Sequence, residues 1–152
     1  MPQGARTRGR TPVGPELSLP PLFTQVRLRE VGDAFAHAKS VAAEQGAGTL
    51  VYVGRFDLAE FAVVLEPEEP LAQARLAFYA GMVGLADALS TQALPETSIN
   101  IEWPGSISVN AGLVGGAQLA WPQGTAEDET PGLAGIRRHD PHRDHDRHRA
   151  GP

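Results

Sequence analysis

The apolar positions of this chain change period several times between Leu22 and Trp121, and each change predicts an element. Pro12, Pro15, Pro20 and Pro21 keep the approach extended, after which Leu22–Leu28 predicts a short edge strand. From Asp33 the residues Phe35, Ala38, Val41 and Ala42 recur at helical spacing, and Gly46 and Gly48 supply a stop, giving a helix over about 33–45. Thr49–Val53 is β-branched and aromatic, as a half-buried strand requires. Phe61–Leu65 is a nearly continuous apolar run, the pattern of a strand covered on both faces. The strongest pattern follows: Leu71, Ala74, Phe78, Met82, Leu85 and Leu89 form one stripe of a helix over about 70–91. Pro70 suits its first turn, and Glu66, Glu68 and Glu69 suit its dipole. Gly81 and Gly84 weaken it, which predicts close approach of another element there. Two short strands, about Ile99–Trp103 and Ile107–Val109, lead through a turn at Asn110-Ala111-Gly112 into Leu113–Trp121, whose Gly115-Gly116 lacks side chains in mid-strand.

This order predicts an α+β fold, a mixed, mainly antiparallel sheet with helices packed on one face. Composition narrows the chemistry. Cysteine is absent, which excludes disulfides, cysteine-ligated zinc, iron–sulfur clusters and a cysteine nucleophile. No run reaches the roughly 18 apolar residues of a membrane helix. Met1–Arg10 is not followed by the apolar stretch of a secretory signal, so no membrane association and a cytoplasmic location are expected.

Charge divides the chain. Residues 1–10 carry three arginines and no acid, and residues 132–152 carry five arginines against three aspartates; without these ends, 11–131 holds 5 basic and 15 acidic residues, a net of −10. Such a body repels phosphate backbones, so nucleic acid is not expected as a partner. All nine aromatics lie between Phe23 and Trp121. The expected organisation is a disordered basic, proline-rich arm over 1–20, a foldable domain over 21–131 and a disordered Arg/His-rich tail over 132–152.

Two places combine unusual residues with structural meaning: Gly54-Arg55, and the hairpin from Glu102-Trp103-Pro104 to Gly115-Gly116. The segment Ile101-Glu102-Trp103-Pro104-Gly105-Ser106-Ile107 is similar to the Lys-Trp-Pro-Asn-Asp-Ile motif of biotin/lipoate protein ligases, and Gly112-Leu113-Val114-Gly115-Gly116 resembles that family's Lys-Leu-Ala-Gly-Ile. Over about Leu22–Trp121 the chain looks like the first part of such a catalytic domain, which has a class II synthetase-like fold. The resemblance implies ATP and biotin or lipoate as ligands, an acyl-adenylate as intermediate and a lysine of an acyl-carrier acceptor protein as the transfer target. It also implies substrate-binding roles for Gly54, Arg55, Trp103, Pro104, Gly115 and Gly116, where arginine and backbone N–H groups cradle phosphate and glycines admit the ligand.

The chain departs from that motif where the chemistry is concentrated. Glu102 stands where the family has lysine, Gly105-Ser106 replaces Asn-Asp, and Gly112 takes the place of the catalytic lysine. The sole lysine, Lys39, lies in the first expected helix. No catalytic residue is therefore assigned, and weak or absent ligase activity is expected. The alternative is a noncatalytic ligand-binding or scaffold module of the same fold. Plainer roles stand beside these: Trp103 and Trp121 as core or hairpin-packing aromatics, Gly115-Gly116 as a bulge or close-packing site, and Arg55 as a turn residue paired with Asp57 or Glu60. His37 has no nearby partner in sequence and is not a catalytic candidate.

His139, His142, His145 and His148 recur every third residue in the tail. Imidazoles with carboxylates can bind transition metals, which gives a third reading, a metal-binding accessory protein, but Pro141 interrupts any helix that would align them and no metal site is assigned. A one-base shift in a GC-rich back-translation from Gly132 yields instead an apolar, tryptophan-containing run like that of the ligase branch. The expectation is therefore an out-of-frame tail and an incomplete domain.

Overall fold

The computed structural model describes residues 17–132 and, by their backbone, 134–138. Most of the basic arm and the whole histidine repeat lie outside the described residues. The elements are β1 (Thr24–Leu28), α1 (Ala34–Gln45), β2 (Thr49–Val53), β3 (Glu60–Leu65), α2 (Leu71–Ala74), α3 (Leu76–Gln92), β4 (Ile99–Glu102), β5 (Ser106–Val109), β6 (Gly112–Ala120) and β7 (Ala134–Arg138). They form one sheet in the order β1-β2-β3-β7-β6-β5-β4. β1 runs parallel to β2, and every other pairing is antiparallel. The expected α+β class and the edge position of the first strand both hold.

The sheet extends beyond residue 131, where a disordered tail is expected. β7 pairs with β3 through Val64↔Gly135 and with β6 through Leu119↔Ile136, joining two three-stranded halves. Each half would otherwise present an unpaired edge of backbone donors and acceptors, and that demand recruits a segment with little strand propensity of its own.

α1 packs on the β2-β3-β7 half and α3 on β4 and β6. Asp33 caps α1 by accepting from the Ala36 amide at 2.9 Å, and the Gly46 amide closes the helix on the Ala42 carbonyl. Gly46 ends it with φ +75°, a conformation open to glycine. The core beneath α1 consists of Ala34, Ala38, Val51, Val53, Ala62 and Val64. β3 alternates strictly, with Glu60, Ala62 and Val64 buried and Phe61, Val63 and Leu65 half-buried. The expectation of a strand covered on both faces is thus corrected: α1 covers one face, and the other borders a cleft.

The expected helix over 70–91 is present with a break at Arg75, and Leu71 and Met82 of its stripe are buried. Its first amides are satisfied by the later acidic segment: Leu71 N–H donates to the Glu129 carbonyl (2.8 Å) and Ala72 N–H to that of Glu127 (3.0 Å). Arg75 pairs with the Glu127 carboxylate at 2.8 Å, fastening the same contact. Gly81 and Gly84 are both exposed, and the expected close approach is not found at Gly84, where a Cβ would meet nothing within 4 Å.

Candidate functional site

Strand alternation builds the first half of the site. Val51 and Val53 face α1, with Val26 and Leu28 packed against the same core, so Leu50, Tyr52 and Arg27 take the opposite face. With Phe61 and Leu58 they line a cleft of about 390 Å³. Arg27 and Tyr52 are register partners, and the Gly54 amide prolongs the β1–β2 ladder by donating to the Leu28 carbonyl at 3.1 Å. A Cβ at Gly54 would lie 2.6 Å from Arg27 Nε and 2.7 Å from Nη2. The space that the sequence assigns to an approaching ligand is therefore taken by the Arg27 guanidinium, a residue sequence reasoning passed over. Only the period-2 alternation of β1 could have marked it, since it places Arg27 between the inward-facing Val26 and Leu28.

Arg55 lines the same cleft and makes a bidentate pair with Asp57, Nε to Oδ1 at 3.0 Å and Nη2 to Oδ2 at 2.7 Å. The Arg55 hydrogen bonds hold the Asp57 carboxyl below the ordinary carboxylate range, helped by a backbone hydrogen bond and the nearby positive charge. Of the two expected partners, Asp57 is the one found in this fork-to-fork geometry. Glu60 is buried instead, and its Oε1 accepts from the Ala34 amide at 3.0 Å, tying the start of β3 to the start of α1.

The second half lies at the β4–β5 turn. The Trp103-Pro104 peptide is cis. Trp103 is 81% exposed and stacks on Tyr79, with ring centroids 6.3 Å apart and planes at 15°; Phe78 meets Tyr79 edge-on at 5.3 Å. Trp121 is also exposed, so neither tryptophan belongs to the core; Trp103 packs the hairpin against α3. Trp103, Pro104, Gly105, Phe78 and Arg75 line a cleft of about 620 Å³. Gly115 and Gly116 are buried. A Cβ at Gly116 would collide with the Gly105 carbonyl oxygen, which accepts the Ala117 amide at 2.8 Å. Close backbone packing is therefore the role of Gly116, and a bulge adjoins the pair: Ile107 faces Gly115 and Ser108 faces Leu113, so Val114 is the extra residue of β6.

Glu102 ends β4, and its Oε1 accepts from Ser108 Oγ at 2.6 Å. Gly112 is exposed at the start of β6. Lys39 lies over the Phe35 ring on α1, 5.5 Å from its centroid, on the covered side of the sheet. The six residues singled out from sequence thus fall into two groups, Gly54 with Arg55 and Trp103-Pro104 with Gly115-Gly116 behind it. Their two clefts share no lining residue. Among the described residues no three His, Asp or Glu side chains are grouped to hold a metal ion, and no helix is long and apolar enough to cross a membrane.

The model of the biotin/lipoate A/B protein ligase family matches residues 19–136. No curated protein matches the chain. Among solved structures, a biotin protein ligase-like protein of unknown function from Silicibacter sp. is 28% identical with a TM-score of 0.73, over 82% of this chain and 54% of its own. The biotin acetyl coenzyme A carboxylase synthetase of Helicobacter pylori, solved with biotinylated ATP bound, is similar in fold alone: 11% identity and a TM-score of 0.50, over 75% of this chain and 58% of its own. The chain spans little more than half the length of either. The family match runs from the approach to β1 into β7, through every element that builds the two clefts, and this chain belongs to the biotin/lipoate A/B protein ligase family.

Proposed function

We propose that this family member binds a carboxylic acid of the biotin or lipoate class in the cleft on the uncovered face of β1, β2 and β3, and forms its adenylate weakly or not at all. The cleft volume of about 390 Å³ falls within the range of small-molecule sites, and its walls are mostly apolar, with Arg27 and Arg55 among the lining residues. The observation that carries the loss of chemistry is Glu102. At the position matched to the lysine of the family's Trp-Pro motif, a carboxylate is held by Ser108 at 2.6 Å, which places negative charge where the family has positive. Gly112 offers no side chain at the second lysine position, and Lys39 sits across the sheet on α1.

In this reading ATP is a poor ligand, and an acyl-carrier acceptor protein is a partner only for whatever transfer activity survives. Pyrophosphate release with ATP and biotin, lipoate or octanoate tests it, alongside calorimetric titration of each acid alone. Acid binding with pyrophosphate release no faster than an ATP blank is expected. Adenylate accumulation in step with added acid refutes the loss of chemistry, and absence of binding by every acid refutes the ligand cleft. The Glu102→Lys variant should strengthen ATP binding relative to wild type.

A further inference from the structure

We propose that the β1–β3 cleft takes monocarboxylic acids whose tail carries no hydrogen-bonding group, straight-chain acyl or dithiolane, and discriminates against the ureido ring of biotin. This rests on the ligand-cleft reading above and narrows its substrate class. The walls supply the first reason. Leu50, Leu58 and Phe61 line the cleft together with Phe56, which is 90% exposed on the β2–β3 loop, so the lining is apolar both on the sheet and on the loop beside it. A tail laid along these side chains gains with every methylene that leaves water. The volume of about 390 Å³ lies toward the lower end of ligand pockets, which suits a slender tail.

The polar groups supply the second. A ureido ring brings two N–H donors and a carbonyl acceptor, and each one buried without a partner loses its hydration for nothing in return. Among the described residues four polar side chains line the cleft, those of Arg27, Tyr52, Arg55 and Glu60, and three of them are already engaged within the protein. Arg55 presents its fork to Asp57, Arg27 has an interaction of its own inside the protein, and Glu60 is buried with Oε1 on the Ala34 amide at 3.0 Å. The middle strand β2 pairs on both sides, with β1 and with β3, so its backbone groups are committed as well. That leaves the Tyr52 hydroxyl to meet three ureido groups. A straight-chain or dithiolane tail makes no such demand, and on the uncovered face of the sheet the carboxylate head keeps its contact with water.

Lipoate and desthiobiotin serve as the probe pair, since each is a five-membered ring on a carboxyalkyl chain and only desthiobiotin carries the ureido group. Calorimetric titration into the full chain is expected to show lipoate bound roughly tenfold to a hundredfold more tightly, the rejection that an apolar pocket gives an added polar group. Hexanoate, octanoate and decanoate should gain about fourfold in affinity per methylene. Leu58→Asn should lower that gain, while Leu94→Asn, at an 81% exposed position outside the cleft, should leave it unchanged, with circular dichroism checking that each variant is folded. If Leu58→Asn does not fold, Phe56→Asn, at an exposed position of the same lining, makes the same test. Desthiobiotin bound as tightly as lipoate, or affinities flat across the three fatty acids, overturns the narrowed class and leaves the cleft reading standing. An unaltered gain in the folded wall variant overturns the assignment of the tail to these walls. Binding of none of the acids overturns both the narrowed class and the cleft reading.

Discussion

Gly84 and Gly116 offer the same chemical change, glycine to alanine, with opposite expected signs. At Gly116 the new methyl overlaps the Gly105 carbonyl oxygen and lies 3.1 Å from Ser106 Cα. Both are backbone atoms, so no rotamer change relieves the contact. Overpacking of this kind costs about 1–3 kcal/mol. Pushing the Gly105 carbonyl away also weakens its 2.8 Å bond from the Ala117 amide, worth about 0.5–1.5 kcal/mol, while the stiffer unfolded chain returns about 0.4–1 kcal/mol. The expected net is a loss of about 0.5–4 kcal/mol. At Gly84 a Cβ meets nothing within 4 Å inside α3, so the helical preference for alanine should stabilise by about 0.8–1 kcal/mol. Urea unfolding followed by the fluorescence of Trp103 and Trp121 reads both, with the slope unchanged if only stability moves. Shifts of the same sign, or a Gly116→Ala midpoint equal to wild type, would refute the claim that β6 passes in backbone contact with the Trp103–Gly105 turn.

Glu60→Ala should destabilise by about 1–3 kcal/mol in the same assay, since it leaves the buried Ala34 amide without its acceptor; Glu60→Gln, which keeps a carbonyl oxygen there, should cost less. Ala111 has φ +64° in the turn before β6, a conformation that costs a non-glycine residue about 1–2 kcal/mol, so Ala111→Gly, which creates the Asn-Gly turn dipeptide, should raise the unfolding midpoint. The Asp57 carboxyl should titrate by NMR below the ordinary aspartate range, and Arg55→Gln should return it toward that range. Because the folded pKa is depressed, the Arg55–Asp57 pair contributes stability above the unfolded pKa and loses it as pH falls through the folded one. Arg55→Gln should therefore flatten stability only at acid pH.

Local pattern made β2 and the long helix legible, because the β-branched run Thr49–Val53 and the stripe from Leu71 to Leu89 each state their own period. Two features are not written locally. β7, with Ile136 as its only β-branched residue, reads as tail; its place comes from the open edges of β3 and β6, which are far away in sequence. Gly54 was legible as a position that excludes a side chain, but the occupant of the space comes from β1, beyond an intervening helix. The parallel register Arg27↔Tyr52 is what brings it there. Exposure misled in the other direction: Trp103 has the composition of a core residue, yet its indole lies on Tyr79 with 81% of its surface exposed.

Two features that bear on the proposed loss of ligase chemistry, the pairing of Arg55 and the charge of Glu102, differ in weight. Arg55 is engaged by Asp57, but 71% of the Asp57 side chain is accessible to solvent, which screens the pair. A phosphate could therefore draw Arg55 away at small cost, and this pairing alone would not prevent nucleotide use. Glu102 acts on the sign of the interaction. A phosphate about 4 Å from a unit charge gains or loses roughly 1 kcal/mol in water and about 4 kcal/mol at a protein surface. Replacing an ammonium by a carboxylate at that distance exchanges gain for loss, a swing of roughly 2–8 kcal/mol. Proposed acid binding does not call on Glu102, since the cleft, which Arg55 also lines, is built beside β1, β2 and β3, while Glu102 belongs to β4 across the sheet. In the proposed reading, a substitution at Glu102 that weighs against adenylate formation leaves the acid-binding cleft untouched.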